Sequence, residues 1–435
     1  VKTSLPKLLL FGAMIMTRST PAAEIEDMSL ASGLSYGYGL DTHSTMQAIL
    51  TLSPSLELAW TPRVALVASA RIWLDAEQDI APGTPAFDTY TQASRPLALG
   101  DSGNAQLRDV YLEVRSDNGL LRLGKQQIVW GRLDGIKVLD VVDPQDFREF
   151  ITEDFSVSRI SLWSAYFDYN LGNWRTEISV VPDSTGHAIP GSGAWFELTA
   201  PRFRYGAQPG QSLPLETIEP EMTLEQTAVG LRLSRHFGAM DLSAMAYSGM
   251  DPEPLGRFAL RDGDPVVERF YERRDVYGIS FDIGLGAFVL RGEYAYQPDR
   301  IFNTRPNDEL RTIALDEHRG AIGVDLDGPL GIFVNVQYLL DTIPDAPADL
   351  VRPETDRIGT LYLRKTFAYD TLSLEARWYY SFTDKDRMVS LGVDYALGEN
   401  TSLVLAAQYF DGTPDGIFGE FTGRDRIVLG LSSMF

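Results

Sequence analysis

The densest set of chemically capable side chains lies in one stretch, LRLGKQQIVWGRLDGIKVLDVVDPQDF, residues 121–147. Arg122, Lys125 and Gln127 sit on what begins as an alternating strand. Arg132, Asp134, Lys137, Asp140, Asp143 and Asp146 follow in a loop running to about residue 156, with a turn set by Asp143-Pro144. Fixed charges of both signs on a stiffened loop suit a polar constriction. There a passing ion meets each charge at close range, with an interaction of order 1–4 kcal/mol at about 4 Å. An ordinary solvated loop would carry the same residues, so the elements around the stretch must decide.

Catalytic chemistry has little to work with. Cysteine is absent, which removes thiolate nucleophiles, disulfides and thiolate metal sites. His43, His187, His236 and His318 fall in no recognised motif, and all four are expected to be exposed. The GSG at 191–193 lacks the strand–Ser–helix setting of a nucleophile elbow. There is no P-loop, dinucleotide fingerprint or complete EF-hand. The loop acids of RDGDP (261–265) and Asp341, Asp345 and Asp349 are expected to be solvated, or to bridge to lipopolysaccharide through divalent ions. No enzyme activity, cofactor or resident metal is expected. The net charge of −22 argues against nucleic acid, whose binding needs clustered Lys and Arg.

The surrounding elements show a period of two. Leu50, Leu52, Leu56, Leu58 and Trp60 share one face, and Thr51, Ser53, Ser55 and Glu57 the other. The pattern recurs to the C-terminus, as in Val334, Val336, Tyr338 and Leu340 against Asn335 and Gln337, or Leu372, Leu374, Ala376 and Trp378 against Ser373, Glu375 and Arg377. Alternation puts successive side chains on opposite faces of a sheet. Runs of about 9–11 residues match a tilted strand crossing a bilayer. Trp60, Tyr247, Tyr296, Tyr338, Tyr380, Tyr395, Tyr409 and Phe435 end the apolar faces, where amphipathic rings would form interfacial girdles.

Short turns (61–62, 117–119, 170–173 and their successors) alternate with long polar stretches (75–105, 183–223, 250–273, 297–317, 341–355). That rhythm marks outer-membrane barrels. The expectation is an all-β transmembrane antiparallel up-and-down barrel of about 18 strands, with 16 as the fallback. The strands fall near 29–40, 47–60, 63–74, 106–116, 120–130, 158–169, 174–182, 224–236, 239–248, 275–284, 287–296, 318–327, 331–341, 357–367, 371–381, 387–397, 401–410 and 424–435. Residues 1–23 read as a signal peptide: basic Lys2 and Lys7, an apolar run, then STPAA. Residues 24–435 form the single barrel.

Strict parity would send Lys125 to lipid along with Leu121 and Leu123, at a cost of about 2–4 kcal/mol at mid-depth. A bulge at Gly124 would turn Lys125 and Gln127 into the lumen. Parity also points Arg175, Arg232, Arg291, Glu293 and Arg377 inward, with Glu113, Glu177 and Glu375. Such residues either set selectivity at a constriction or pair across strands and stiffen the wall.

The stretch at 121–147, followed by SRISLWSAYFDY and EISVVPD, resembles an uncharacterised family of large Gram-negative outer-membrane barrels. These carry a Gly-(Lys/Arg)-Gln strand, Trp-Gly and an Asn/Asp-Pro loop. The layout is similar to alginate-export and substrate-selective porins. The resemblance implies an outer-membrane channel or export component. Two functions stay open: a channel for polar solutes or polymers, anionic ones included, or a plugged barrel serving envelope export or assembly by binding a partner. Either would contact lipid, lipopolysaccharide and the barrel-assembly machinery.

Ile427, Leu429, Leu431 and Phe435 share the face of the last run, in the manner of an outer-membrane assembly signal. Deleting Phe435 is expected to lower the folded, heat-modifiable fraction several-fold on semi-native gels; an unchanged fraction would remove that role.

Overall fold

In a lipid bilayer every backbone N–H and C=O must be paired within the protein, which leaves closed barrels as the only spanning use of strands. The computed structural model describes residues 23–435 except 84–86, 134, 136 and 208–213. Its wall is made of 18 strands. They are β1 (Glu24–Gly39), β2 (Ser44–Thr61), β3 (Val64–Asp75), β4 (Gly103–Arg115), β5 (Gly119–Gln126) and β6 (Leu162–Leu171). Next come β7 (Trp174–Val181), β8 (Ala228–Phe237), β9 (Met240–Met250), β10 (Arg273–Leu285), β11 (Phe288–Thr304) and β12 (Arg311–Asp327). The last six are β13 (Ile332–Thr342), β14 (Thr355–Phe367), β15 (Leu372–Ser381), β16 (Asp386–Ala396), β17 (Thr401–Asp411) and β18 (Arg426–Met434).

Each strand pairs antiparallel with its neighbours in sequence, and β1 pairs with β18 from Ala31↔Met434 to Gly39↔Arg426. Reciprocal backbone bonds between Leu30 and Phe435 finish that seam. Leu123, Phe167, Ile178, Leu231, Ile279, Ile322, Val336, Leu405 and Leu429 are exposed on the outer face. The alternation therefore has its lipid-facing meaning.

All 18 expected runs are strands, with differences at their ends. β5 stops at Gln126 rather than 130, because the chain leaves the wall there. β11 and β12 continue as a hairpin through most of the stretch expected as a loop at 297–317. The 250–273 stretch contains its own hairpin, Leu255–Arg261 with Asp264–Phe270, to which Leu215–Thr217 adds in parallel. Tyr247 is buried inside the barrel and belongs to no girdle. The expected signal peptide lies outside the described residues except for Ala23.

Gly124 makes no bulge. The ladders run through it without a shift, Leu123↔Leu112, Gly124↔Tyr111, Lys125↔Val110 on one side and Gly124↔Ser164 on the other. Lys125 escapes lipid in another way. It is buried, with Nζ 2.6 Å from Ser94 Oγ in the 76–102 loop, which reaches the wall where β5 ends. There Leu97–Ala98 pairs with Asn104 and Ala105 in place of the missing strand.

Gly124 nonetheless needs to be glycine. Its φ is 141°, and a Cβ would come 2.2 Å from the Val110 carbonyl oxygen. Gly124→Ala is expected to destabilise the barrel by more than about 1 kcal/mol, measured as a lower temperature for loss of heat-modifiable mobility. An unchanged transition would show that this backbone strain is relieved elsewhere.

Candidate functional site

Beyond Gln126 the chain turns inward, and residues 127–161 line the inside of the barrel before returning to the wall at Leu162. Many of their apolar members face protein, while Val129 is exposed. Ile128, Trp130, Leu133, Val138, Leu139, Val141 and Val142 pack against the inward side chains Tyr166, Met245, Tyr247, Val276, Ala295, Ala321 and Leu339. Glycines in the wall provide sockets. A Cβ at Gly230 would lie 2.4 Å from the Trp130 ring, and one at Gly278 would lie 2.4 Å from Leu139 Cδ2. Gly323 stands beside Leu133 in the same way. Further along, Phe150 reaches Phe410 on β17, so the segment touches wall strands far around the ring.

Polar contacts pin the segment. Glu293 on β11 accepts the backbone N–H groups of Arg132 and of Leu139, the latter at 2.9 Å. Gly135 N donates to Gln337 Oε1 at 3.2 Å. A buried carboxylate accepting two backbone donors satisfies groups that would otherwise be orphaned inside the lumen.

Among the described loop carboxylates, Asp140, Asp143 and Asp146 are taken up by pairing within the segment and do not form the polar lining that the sequence suggested. Asp143 is buried and accepts Ile128 N at 2.7 Å, closing the base of the segment. Burial, beside Asp140, pushes its carboxyl well above the usual range. Asp140 pairs with Arg159 (2.8 Å) and Lys137 (3.2 Å), while burial lowers the Lys137 ammonium to about 8. Asp146 accepts Arg148 Nε at 2.9 Å. These groups stitch the segment together because charges buried in a packed interior must be paired. Asp134 lies outside the described residues. Arg132 is the member that faces outward from the segment, toward Asp282 at 3.5 Å. Gln127 Nε2 donates to Ser156 O at 3.2 Å.

The wall charges form ladders. Arg122 Nε meets Glu113 at 2.7 Å, and Arg175 meets Asp168 at 2.6 Å. Arg232 lies 3.5 Å from Glu177, Arg291 2.8 Å from Asp325, and Arg377 3.2 Å from Glu375. Pairing, across strands except for Arg377 and Glu375, which share β15, therefore absorbs much of the arginine that parity placed in the lumen.

Toward the long loops the interior fills again. Phe150, Phe196, Phe410, Phe418 and Phe421 form an aromatic cluster with Met46, Trp73, Trp195 and Met388. Carboxylates clip the loops to it. Glu420 accepts Ala200 N at 2.8 Å, and Asp386 accepts Phe418 N at 2.7 Å. On the opposite wall Arg300 is buried among Asp251, Glu253 and Glu317, each at 2.7 Å. Arg352 bridges Glu317 (3.3 Å) and Asp341 (3.2 Å).

Between these masses lies a cavity of about 660 Å³. Arg148, Arg202, Arg204, Arg269, Arg319 and Arg352 reach it. His187, expected to be exposed, lines it too. Its Nδ1 accepts Gln145 N at 2.8 Å, and burial lowers the imidazole to about 4, leaving it neutral. Sequence reasoning missed this cavity because its arginines come from separate loops and, for Arg319, from a wall strand, with no spacing that links them. The inward course of the loop was expected from its length and charges, and the many apolar residues of 128–142 were a further signal for it.

A closed 18-strand ring, an apolar outer belt and a chain segment folded into the lumen define an outer-membrane β-barrel of porin type. The chain matches the family model described as "Protein of unknown function (DUF1302)" over residues 37–325, and it belongs to that family. No curated protein matches it in sequence. Its fold is similar to that of OccAB1 of Acinetobacter baumannii, with a TM-score of 0.53, 10% identity, and coverage of 96% of this chain and 99% of that one. OccK11 (OpdR) of Pseudomonas aeruginosa gives 0.51 at 13% identity, covering 94% and 95%. OccK2 (OpdF) of the same organism, solved in complex with glucuronate, gives 0.51 at 10% identity, covering 94% and 97%.

Glu293→Ala leaves two buried N–H groups without an acceptor, at about 2–4 kcal/mol. Cleavage of the 127–161 segment by an added protease should rise at least tenfold in the folded barrel, while the wall stays intact on semi-native gels. Equal cleavage in the parent and the variant would show that apolar packing alone holds the segment.

Proposed function

We propose that this barrel is an outer-membrane channel for polar solutes, anionic ones included, with residues 127–161 as its constriction. The observation that carries this reading is the course of that segment. It runs around the inside of the ring, pinned at Glu293 and seated on wall glycines, with a charged lumen on one side and an arginine-bearing cavity on the other. A barrel of this size cannot fill its lumen with wall side chains alone, so what crosses it is governed by what folds into it. The charges beside the segment, Arg132 and the Arg291–Asp282–Asp325 group, would act on a solute at the narrowest point. The OccK2 neighbour holds glucuronate, an anionic sugar, and supports an anionic solute by analogy of fold. On this reading the protein is not an enzyme and needs no cofactor. Its partners are lipid, lipopolysaccharide and the barrel-assembly machinery.

The aromatic cluster at the mouth favours a second reading, a plugged barrel whose loops bind a partner during export or assembly. Single-channel recording in planar bilayers separates the two. The channel reading expects small, resolved conductance in the parent and a larger one, with a shifted reversal potential in a salt gradient, when 127–161 is replaced by a short linker. A silent parent beside a conducting deletion variant would instead favour the plug. A deletion variant that inserts normally and matches the parent in both quantities would remove the constriction.

A further inference from the structure

The cavity near the mouth has two unlike sides. Leu339 and Ile358 belong to the apolar packing of the in-folded segment, while Leu198 and Ile417 belong to the margin of the aromatic cluster. The space is thus flanked by two apolar surfaces, with charged groups and further apolar and aromatic side chains around the rest of its lining. Its volume of about 660 Å³ falls within the ~300–1,000 Å³ of small-molecule sites. A wholly polar solute would leave the apolar sides unused.

The charged groups discriminate among themselves. Arg202 holds Asp356 through two contacts, at 2.9 and 3.1 Å, and lies 3.6 Å from Asp384. Arg148 grips Asp146, and Arg352 bridges acids on two strands. Arg319 and Arg352 share Asp341, at 3.1 and 3.2 Å, whereas Arg204 and Arg269 each have an acid to themselves and are held at fewer points than Arg148, Arg202 or Arg352. Among the described residues Arg204 has one carboxylate contact, Nη1 to Glu197 at 3.5 Å, and Arg269 has one, Nη2 to Asp88 at 3.0 Å. A guanidinium carries five N–H donors in a planar fork, so both retain donors that match a carboxylate.

The six arginines share the lining with five carboxylates, Asp88, Glu197, Glu253, Asp341 and Asp356. Asp146, Asp384 and Glu317 contact these arginines from outside the lining, so the acids match or exceed the arginines and a polyanion is disfavoured. Free guanidinium donors still suit a single carboxylate. We infer that the cavity is a binding site for an amphipathic organic monocarboxylate, its acid group taken by Arg204 and Arg269 and its apolar body laid between Leu198 and Ile417 on one side and Leu339 and Ile358 on the other. The inference rests on the channel reading only in naming the solute, because occupancy of the site does not require conduction.

Calorimetric titration of the full chain in lipid nanodiscs tests it, with 2-naphthoate as probe, 2-naphthol as its neutral counterpart and inorganic phosphate as a compact polyanion. Saturable naphthoate binding above that of empty nanodiscs is expected, at least tenfold tighter than naphthol or phosphate. The Arg204→Gln/Arg269→Gln double variant should lose at least tenfold in naphthoate affinity and leave naphthol unchanged, with heat-modifiable mobility as the folding control. Ile417→Asn, a second and independent variant, should weaken naphthoate and naphthol alike. Binding no stronger than that of empty nanodiscs, phosphate binding as tight as naphthoate, or an unaltered affinity in the folded double variant would each overturn the proposal. Absent binding in a protein that conducts would defeat this inference alone; binding in a protein silent with and without residues 127–161 would defeat the channel reading alone.

Discussion

Backbone hydrogen bonding in a medium without water is the constraint on which the structure depends. A strand in hydrocarbon has no solvent to pair its N–H and C=O groups, so each edge must find another strand, and the last must find the first. The β1–β18 seam meets that demand, and much else follows from it. Closure fixes one face of every strand toward lipid, which the exposed leucines, valines and isoleucines of the outer belt occupy. It also creates an interior too wide for wall side chains to fill. The remaining question for the sequence is what to place inside.

The answer is a second core. Residues 127–161 bring their own apolar surface into the ring, and the wall receives it with small residues: glycine at 230, 278 and 323, alanine at 295 and 321. Such close fit follows from packing at interior density, where one extra methyl group on either side would have to be accommodated by displacement. The same rule of satisfied polar groups that closes the wall then applies within the lumen. Glu293 takes two backbone donors, Asp143 one, and Asp140 binds two cations. Residues that looked like the lining of a pore serve as its carpentry.

What was legible in the sequence was what repeats. A period of two, short turns between runs and aromatic ends are local properties, and they gave all 18 strands and the facing of Arg232, Arg291 and Glu293. Tyr247 shows the limit: alternation identifies two faces, but an aromatic ring suits a membrane interface or a packed lumen equally well. Lys125 shows another. Its burial depends on Ser94, which approaches only after the loop has folded back, and no spacing between the two residues announces that contact. The cavity arginines were illegible for the same reason, since Arg148, Arg204, Arg269 and Arg352 come from separate loops brought together by the ring. The loop from residue 131 was expected to fold inward on the strength of its charges, whereas the apolar residues between them are what seat it against the wall.

The seam also has a temporal meaning. The first and last strands are the most distant pair in the chain, so joining them carries the largest loop-closure entropy of any ladder in the wall, and contacts of that kind tend to form late. Hairpins such as β11–β12 can assemble beforehand, offering an open, curved sheet on which the inner segment finds Glu293 and its glycine sockets. Sealing the ring then encloses a surface already built. In such a sequence the interior would act as a mould for the wall: the packed segment would set the curvature at which β1 and β18 come within reach, and a chain with a misplaced segment would be slow to close rather than merely altered in what it admits.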